Sequence, residues 1–172
     1  MKKEKKQKNN GISLVETIIY IAIFSMIVTV FISFSNSMTT SRLHNQMILE
    51  INDQGNSAMK TLTQAIRNAS AVNSPTIGNS ASILSLAMYQ TAVNPTVFSQ
   101  STFGVLDITE GSGSITALTN NKVIVSNLIF SNFSRPGTPN IVKISFTLTS
   151  ITSGGLGGSY AYTFNGSAQI RK

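Results

Sequence analysis

The sequence predicts an α+β fold: one long N-terminal helix packed on a small antiparallel β-sheet head, the helix membrane-spanning in its first half and amphipathic in its second. Three observations predict it. Residues 12–34 are almost wholly apolar, a helical period resumes at Arg42, and short β-type runs separated by Gly, Pro and Asn fill the remainder. At 172 residues the chain has room for about one domain beside a membrane segment. Charged residues make up 11% of the chain, well under the roughly 25% of ordinary soluble domains. There is no Cys, so neither a disulfide framework nor a thiolate metal site can form.

Residues 1–11 read as a basic leader. Lys2, Lys3, Lys5, Lys6 and Lys8 are five of the thirteen bases, and Glu4 offsets one of them. The net charge of +7 therefore belongs mainly to this segment; from residue 12 onward eight bases face five acids, leaving +3. Those eight are scattered along the sequence, whereas a nucleic-acid surface needs Lys and Arg gathered on one face.

Residues 12–34, ISLVETIIYIAIFSMIVTVFISF, hold a single charge, Glu16. As a helix rising about 1.5 Å per residue they reach roughly 34 Å, enough for a hydrocarbon core of about 30 Å. A helix satisfies every backbone group within one segment, which lipid demands. The lysines in front should stay cytoplasmic, with the rest exported. An ordinary secretory signal has an apolar core of about 7–15 residues and a small-residue cleavage site behind it. This run is longer, and no such site follows Phe34. It reads as a retained single-pass anchor.

Glu16 requires a reason. A carboxylate in a spanning segment costs roughly 2.5–3.5 kcal/mol when central and less near an end. Its natural partner is a positive charge at the same depth. A cut between Gly11 and Ile12 would free the α-amine of Ile12 four residues before Glu16, on the same helix face. The pair could close within one subunit, or Glu16 could reach the amine of a neighbour.

Residues 35–73 are expected to continue the helix. After the polar run 35–40, Leu43, Met47, Ile51, Ala58, Leu62, Ile66 and Ala69 recur at spacings of three, four or seven, with Asn45, Asn52, Asp53, Lys60 and Gln64 on the polar faces. The stripe should pack on the head as ordinary core. Gly55 interrupts it at a cost of about 1 kcal/mol relative to Ala, marking a bend or a close-packing point. The end is expected near residues 70–73, ahead of Pro75. His44, the only histidine, reads as a solvated helix residue.

Residues 74–172 should form the β-rich head. Candidate strands are 83–90, 96–100, 103–108, 114–118, 122–130, 140–149 and 160–164, separated by Gly, Pro and Asn breakers. Short strands with short turns suggest an antiparallel sheet. Segments 139–149 and 159–165 should pair as a hairpin across the Gly-rich loop 150–158. That loop lacks the basic residue and helix-opening context of a phosphate-binding loop. Asp107 and Glu110 are the head's only acids beyond the helix, and 110–113 reads as a solvated turn. No G-x-S-x-G elbow is present and no nucleophile–base–orienter set can be assembled. The reading is a non-enzyme, with no catalytic residue, metal or cofactor.

The run KKQKNNGISLVETIIYIAIFSMIVTVF resembles the class III signal of type IV pilins and pseudopilins: a short basic leader, Gly before the cut, an apolar first mature residue, Glu at mature position five and about twenty apolar residues. Gly11, Ile12 and Glu16 match it residue by residue; the family usually begins its mature chain with Phe, so Ile12 departs from the pattern. The resemblance implies cleavage after Gly11 by a prepilin peptidase/methyltransferase, N-methylation of Ile12, and retention of the apolar helix for filament assembly with other pilin or pseudopilin subunits. A looser resemblance, to minor pilins and pseudopilins of the J or W type, rests on LTQAIRNASAVNSP, on NNKVIVSNLIFSNF and on Arg171. It implies an initiating or tip subunit, anchored in the cytoplasmic membrane with its head outside and then carried to the cell surface or periplasm. The alternatives are a major pilin, a pseudopilin of type II secretion or competence, and a plain single-span adhesin or binding domain. Nucleic acid would be a partner only in a DNA-uptake pilus.

Overall fold

The structure, a computed structural model, describes residues 13–151 and 159–171. Gly11 and Ile12, the expected cleavage pair, lie outside these, as do loop residues 152–158. The chain divides into two compact units, one ending at Arg42 and one beginning at Leu43. A single helix, α1 (Leu14–Asn68), opens the described chain. It is followed by β1 (Ala69–Ser74), β2 (Ser80–Ala81), β3 (Leu84–Met88), a 3-10 turn (Thr91–Val93), β4 (Thr96–Gln100), β5 (Leu106–Glu110), β6 (Thr116–Ala117), β7 (Val123–Asn132), β8 (Ile141–Ser150) and β9 (Ala161–Gln169). The α+β layout is as expected.

The sheet is not single. The strands form a five-stranded sheet, β1-β3-β4-β5-β6, and a four-stranded one, β2-β7-β8-β9, with every neighbouring pair antiparallel. The expected hairpin is the β8–β9 pair, in register from Ile141↔Gln169 to Thr149↔Ala161. β8 alternates buried and more exposed residues along its length, the period-2 signature of a half-buried strand. Its inward side chains, Val142, Ile144, Phe146 and Leu148, meet Ile51, Ala58, Leu62 and Ile66 of α1 in one core.

The helix ends earlier than expected. Asn68 is its last residue, and residues 69–73 belong to β1, which pairs with β3 from Ala69↔Met88 to Ser74↔Ser85. Ala69, the last member of the helical stripe, is buried as the first strand residue. Three more strands differ from expectation. The run 103–108 shifts to Leu106–Glu110, because residues 101–104 make a turn in which the Gly104 N–H donates to Ser101 at 3.0 Å, with Gly104 at φ 74°. The run 114–118 shortens to Thr116–Ala117. The last strand extends past Phe164 to Gln169; within it, a β-carbon on Gly166 would come within 2.8 Å of Met59 Sδ, so that position serves close approach to α1.

Strand β7 carries a bulge. Asn127 has φ 51°, and the pairing with β8 shifts between Ser126 and Ile129. Asn is among the few non-glycine residues that enter the left-handed region readily. The extra residue resets the alternation, so Val123, Val125, Leu128, Phe130 and Asn132 all point inward.

Candidate functional site

The unit that ends at Arg42 has no core of its own among the described residues: every position from 13 to 46 is exposed. Its apolar side chains ring the helix, with Leu14, Phe24, Met26 and Phe31 each at least two-thirds exposed. Contiguous apolar surface of this kind marks contact with a membrane or another protein. α1 is long and apolar enough to cross a bilayer, and the window that qualifies is not buried inside the molecule. A single-pass anchor is therefore compatible with the structure.

Several hydroxyls in this stretch bond within the helix. Ser25 donates to the Ala22 carbonyl at 2.9 Å, Thr29 to Ser25 at 2.8 Å and Ser33 to Thr29 at 3.0 Å. Thr17 makes a longer contact of the same kind to Ser13, at 3.4 Å. Each back-bond to a carbonyl three or four residues earlier removes a donor that would otherwise cost free energy in an apolar medium. The polar residues in the run are thus compatible with apolar surroundings.

Glu16 lies in the first turn of α1. There the unsatisfied N–H groups and the helix dipole favour a negative charge by about 0.3–1 kcal/mol at an exposed position. The Tyr20 hydroxyl donates to Glu16 Oε1 at 3.1 Å, one turn along. In the sequence this contact is legible only as an i, i+4 spacing, beside the amine expected as the partner of Glu16. Since Ile12 is outside the described residues, the expected amine–carboxylate pair has no geometry here.

The remaining candidates are structural in their surroundings. His44 is exposed, as expected, with its ring edge-on to Tyr160 at 5.9 Å. Asp107 and Glu110 both lie in β5, with the turn beginning at Gly111. Three apart on a strand, they point to opposite faces, so they do not form a carboxylate pair. Among the described residues, no group of three His, Asp or Glu side chains gathers as a metal site would require. Gly55 proves to be a close-packing point: the Phe164 ring stands where its β-carbon would be.

A polar clasp missed by the sequence reading joins α1 to the segment before β7. Asn120 Nδ2 donates to Glu50 Oε1 at 2.6 Å, its backbone N–H donates to Gln54 Oε1 at 3.3 Å, and Lys122 Nζ stands 3.8 Å from Glu50 Oε2. Comparison with family models, with curated proteins and with solved structures returned no match.

Proposed function

We propose that this chain is a structural subunit of a type IV pilus or pseudopilus, made as a prepilin and joining the filament as a minor, initiating or tip component. One observation carries the reading. A helix stretch with apolar side chains exposed on all sides holds a single acid, Glu16, near its start, in a chain whose C-terminal unit has a compact β-rich core. A plain anchor accounts for the apolar surface but gives no use for the acid. A filament subunit accounts for both.

In this reading the leader stays cytoplasmic and is removed behind Gly11. The methylated amine of Ile12 then becomes the counter-charge for Glu16 of the same or an adjacent subunit. Moving the helix from lipid into a bundle of like helices gains no hydrophobic energy, because both surroundings are apolar. Packing and the charge pair must direct the step, and a buried pair is effective only when both partners are present. The chain acts through assembly and not through catalysis.

The test is the N-terminus of the protein isolated from its native membranes. Sequencing and intact mass should give a chain beginning at N-methylated Ile12. A chain that keeps residues 1–11 would overturn the reading and favour the plain anchored binding domain. Gly11 replaced by a bulky residue should leave the leader attached, visible as a larger mass.

A further inference from the structure

The last turn of α1 and the end of β9 place two arginines together. The Arg171 N–H donates to the Arg67 carbonyl at 3.2 Å, one of the terminal carbonyls that have no partner inside a helix. Both side chains are exposed. They border a cavity of about 440 Å³ that Ser167 and Gln169 also line. Along β9, Phe164 and Ala168 are buried, and Ile170 continues that side beyond the strand, while Ser167, Gln169 and Arg171 are exposed. Lys143 pairs with Ser167 across the β8–β9 ladder and is likewise exposed, which adds a third base to that outer face.

Among the described residues no acidic side chain is seen to answer these charges. From Gly111 to Lys172 the sequence has five bases and neither Asp nor Glu. Glu50 and Asp53 line a different hollow with Lys122, and Glu110 lines another. Among the described residues the one salt bridge is Lys122–Glu50. A helix C-terminus carries about half a negative charge, which one cation in the last turn offsets. Arg67 serves that purpose. Arg171 is then surplus, and a backbone bond holds the two residues at the border of one cavity.

We infer that Arg67 and Arg171, with Ser167 and Gln169 as neutral donors, form a binding site for a phosphate group, free or within a phosphodiester. Each guanidinium offers a planar fork of N–H donors that meets two phosphate oxygens at once. A carboxylate is satisfied by one such fork; a tetrahedral oxyanion has oxygens for two. The site is independent of the filament reading.

The test uses the full chain in detergent micelles. Inorganic phosphate is titrated by calorimetry at constant ionic strength, with acetate and an oligothymidylate in parallel titrations. Saturable phosphate binding is expected, weakened about tenfold by Arg67→Gln and by Arg171→Gln, the loss of a charge-assisted contact, and unchanged by Lys122→Gln. Arg171→Lys should also weaken it, since the charge remains and the fork is lost. Retained melting temperatures in these variants would show that the fold is intact. Tighter, Arg67-dependent binding of oligothymidylate assigns the site to a phosphodiester; binding no tighter than that of phosphate assigns it to free phosphate. Absence of saturable phosphate binding, binding indifferent to both glutamine variants, or equal binding of acetate would overturn the inference.

Discussion

The aromatic ring of Phe164 occupies the space that a β-carbon on Gly55 would take. The ring cannot readily give way. It is 8% exposed, stacked on Phe146 at 5.4 Å and edge-on to Tyr162 at 4.9 Å. A glycine in mid-helix is thus the condition for β9 to lie against α1.

Gly55→Ala should therefore destabilise the protein. Helix propensity alone favours alanine by about 1 kcal/mol, whereas forcing extra volume into a packed core costs typically 1–3 kcal/mol. We expect packing to win, giving a lower melting temperature for the full chain in detergent. In a double-mutant cycle with Phe164→Leu, the two losses should sum to more than the loss of the pair. A raised melting temperature for Gly55→Ala alone would refute the packing account.

Asn132→Ala should be costly although no charge is involved. The Asn132 amide donates to the Pro75 carbonyl at 2.8 Å, and its Oδ1 accepts from the Ser134 N–H at 3.1 Å and from the Ser134 hydroxyl. Ser134 Oγ in turn accepts the Ile141 N–H at 2.9 Å. Truncation would orphan buried groups at about 1–3 kcal/mol. Chemical denaturation should show that loss, and a change under 0.5 kcal/mol, the range of ordinary surface substitutions, would contradict it.

The clasp at Glu50 separates two kinds of polar contact. The Lys122–Glu50 pair is long at 3.8 Å, with Lys122 69% exposed, and pairs of that kind contribute about 0–1 kcal/mol. The Asn120 bond to the same carboxylate is 2.6 Å and part-buried. Lys122→Met should leave stability within about 0.5 kcal/mol, while Asn120→Ala should cost about 1.5 kcal/mol or more. The reverse order in denaturant midpoints would show that the ion pair dominates.

For the filament reading, Glu16→Val or Glu16→Ala should insert into membranes as the parent does and be depleted from purified filaments. Tyr20→Phe removes one hydroxyl bond to Glu16 and should have the smaller effect, since the carboxylate remains. Normal incorporation of Glu16→Val would remove the charge pair from the mechanism, whatever the N-terminus proves to be.

Much of this was legible in the sequence where periodicity is dense. Ile51, Ala58, Leu62 and Ile66 announce a buried helix face, and all four are core. Val142 to Leu148 announce an alternating strand equally well. The helix end was misplaced because Ala69 continues the helical spacing and no breaker precedes Pro75; what ends the helix is pairing with β3, a partner distant in sequence. The extension of the last strand past Phe164 was not legible, because what Gly166 packs against, Met59, belongs to α1. Asn127 gave a weak signal of its bulge, since asparagine tolerates positive φ, but nothing local says the tolerance is used. Glu16 stood out as an acid in an oily run. The pairing of Arg67 with Arg171 did not, because the two are brought together only by the closure of the whole head.

The back-bonded hydroxyls of residues 25, 29 and 33 make the stretch self-contained. Such a rod can exchange one oily neighbour for another without breaking or making a single polar contact along that length. Any such exchange would be governed by shape and by the charge at one end, the two features left to distinguish one apolar neighbour from another.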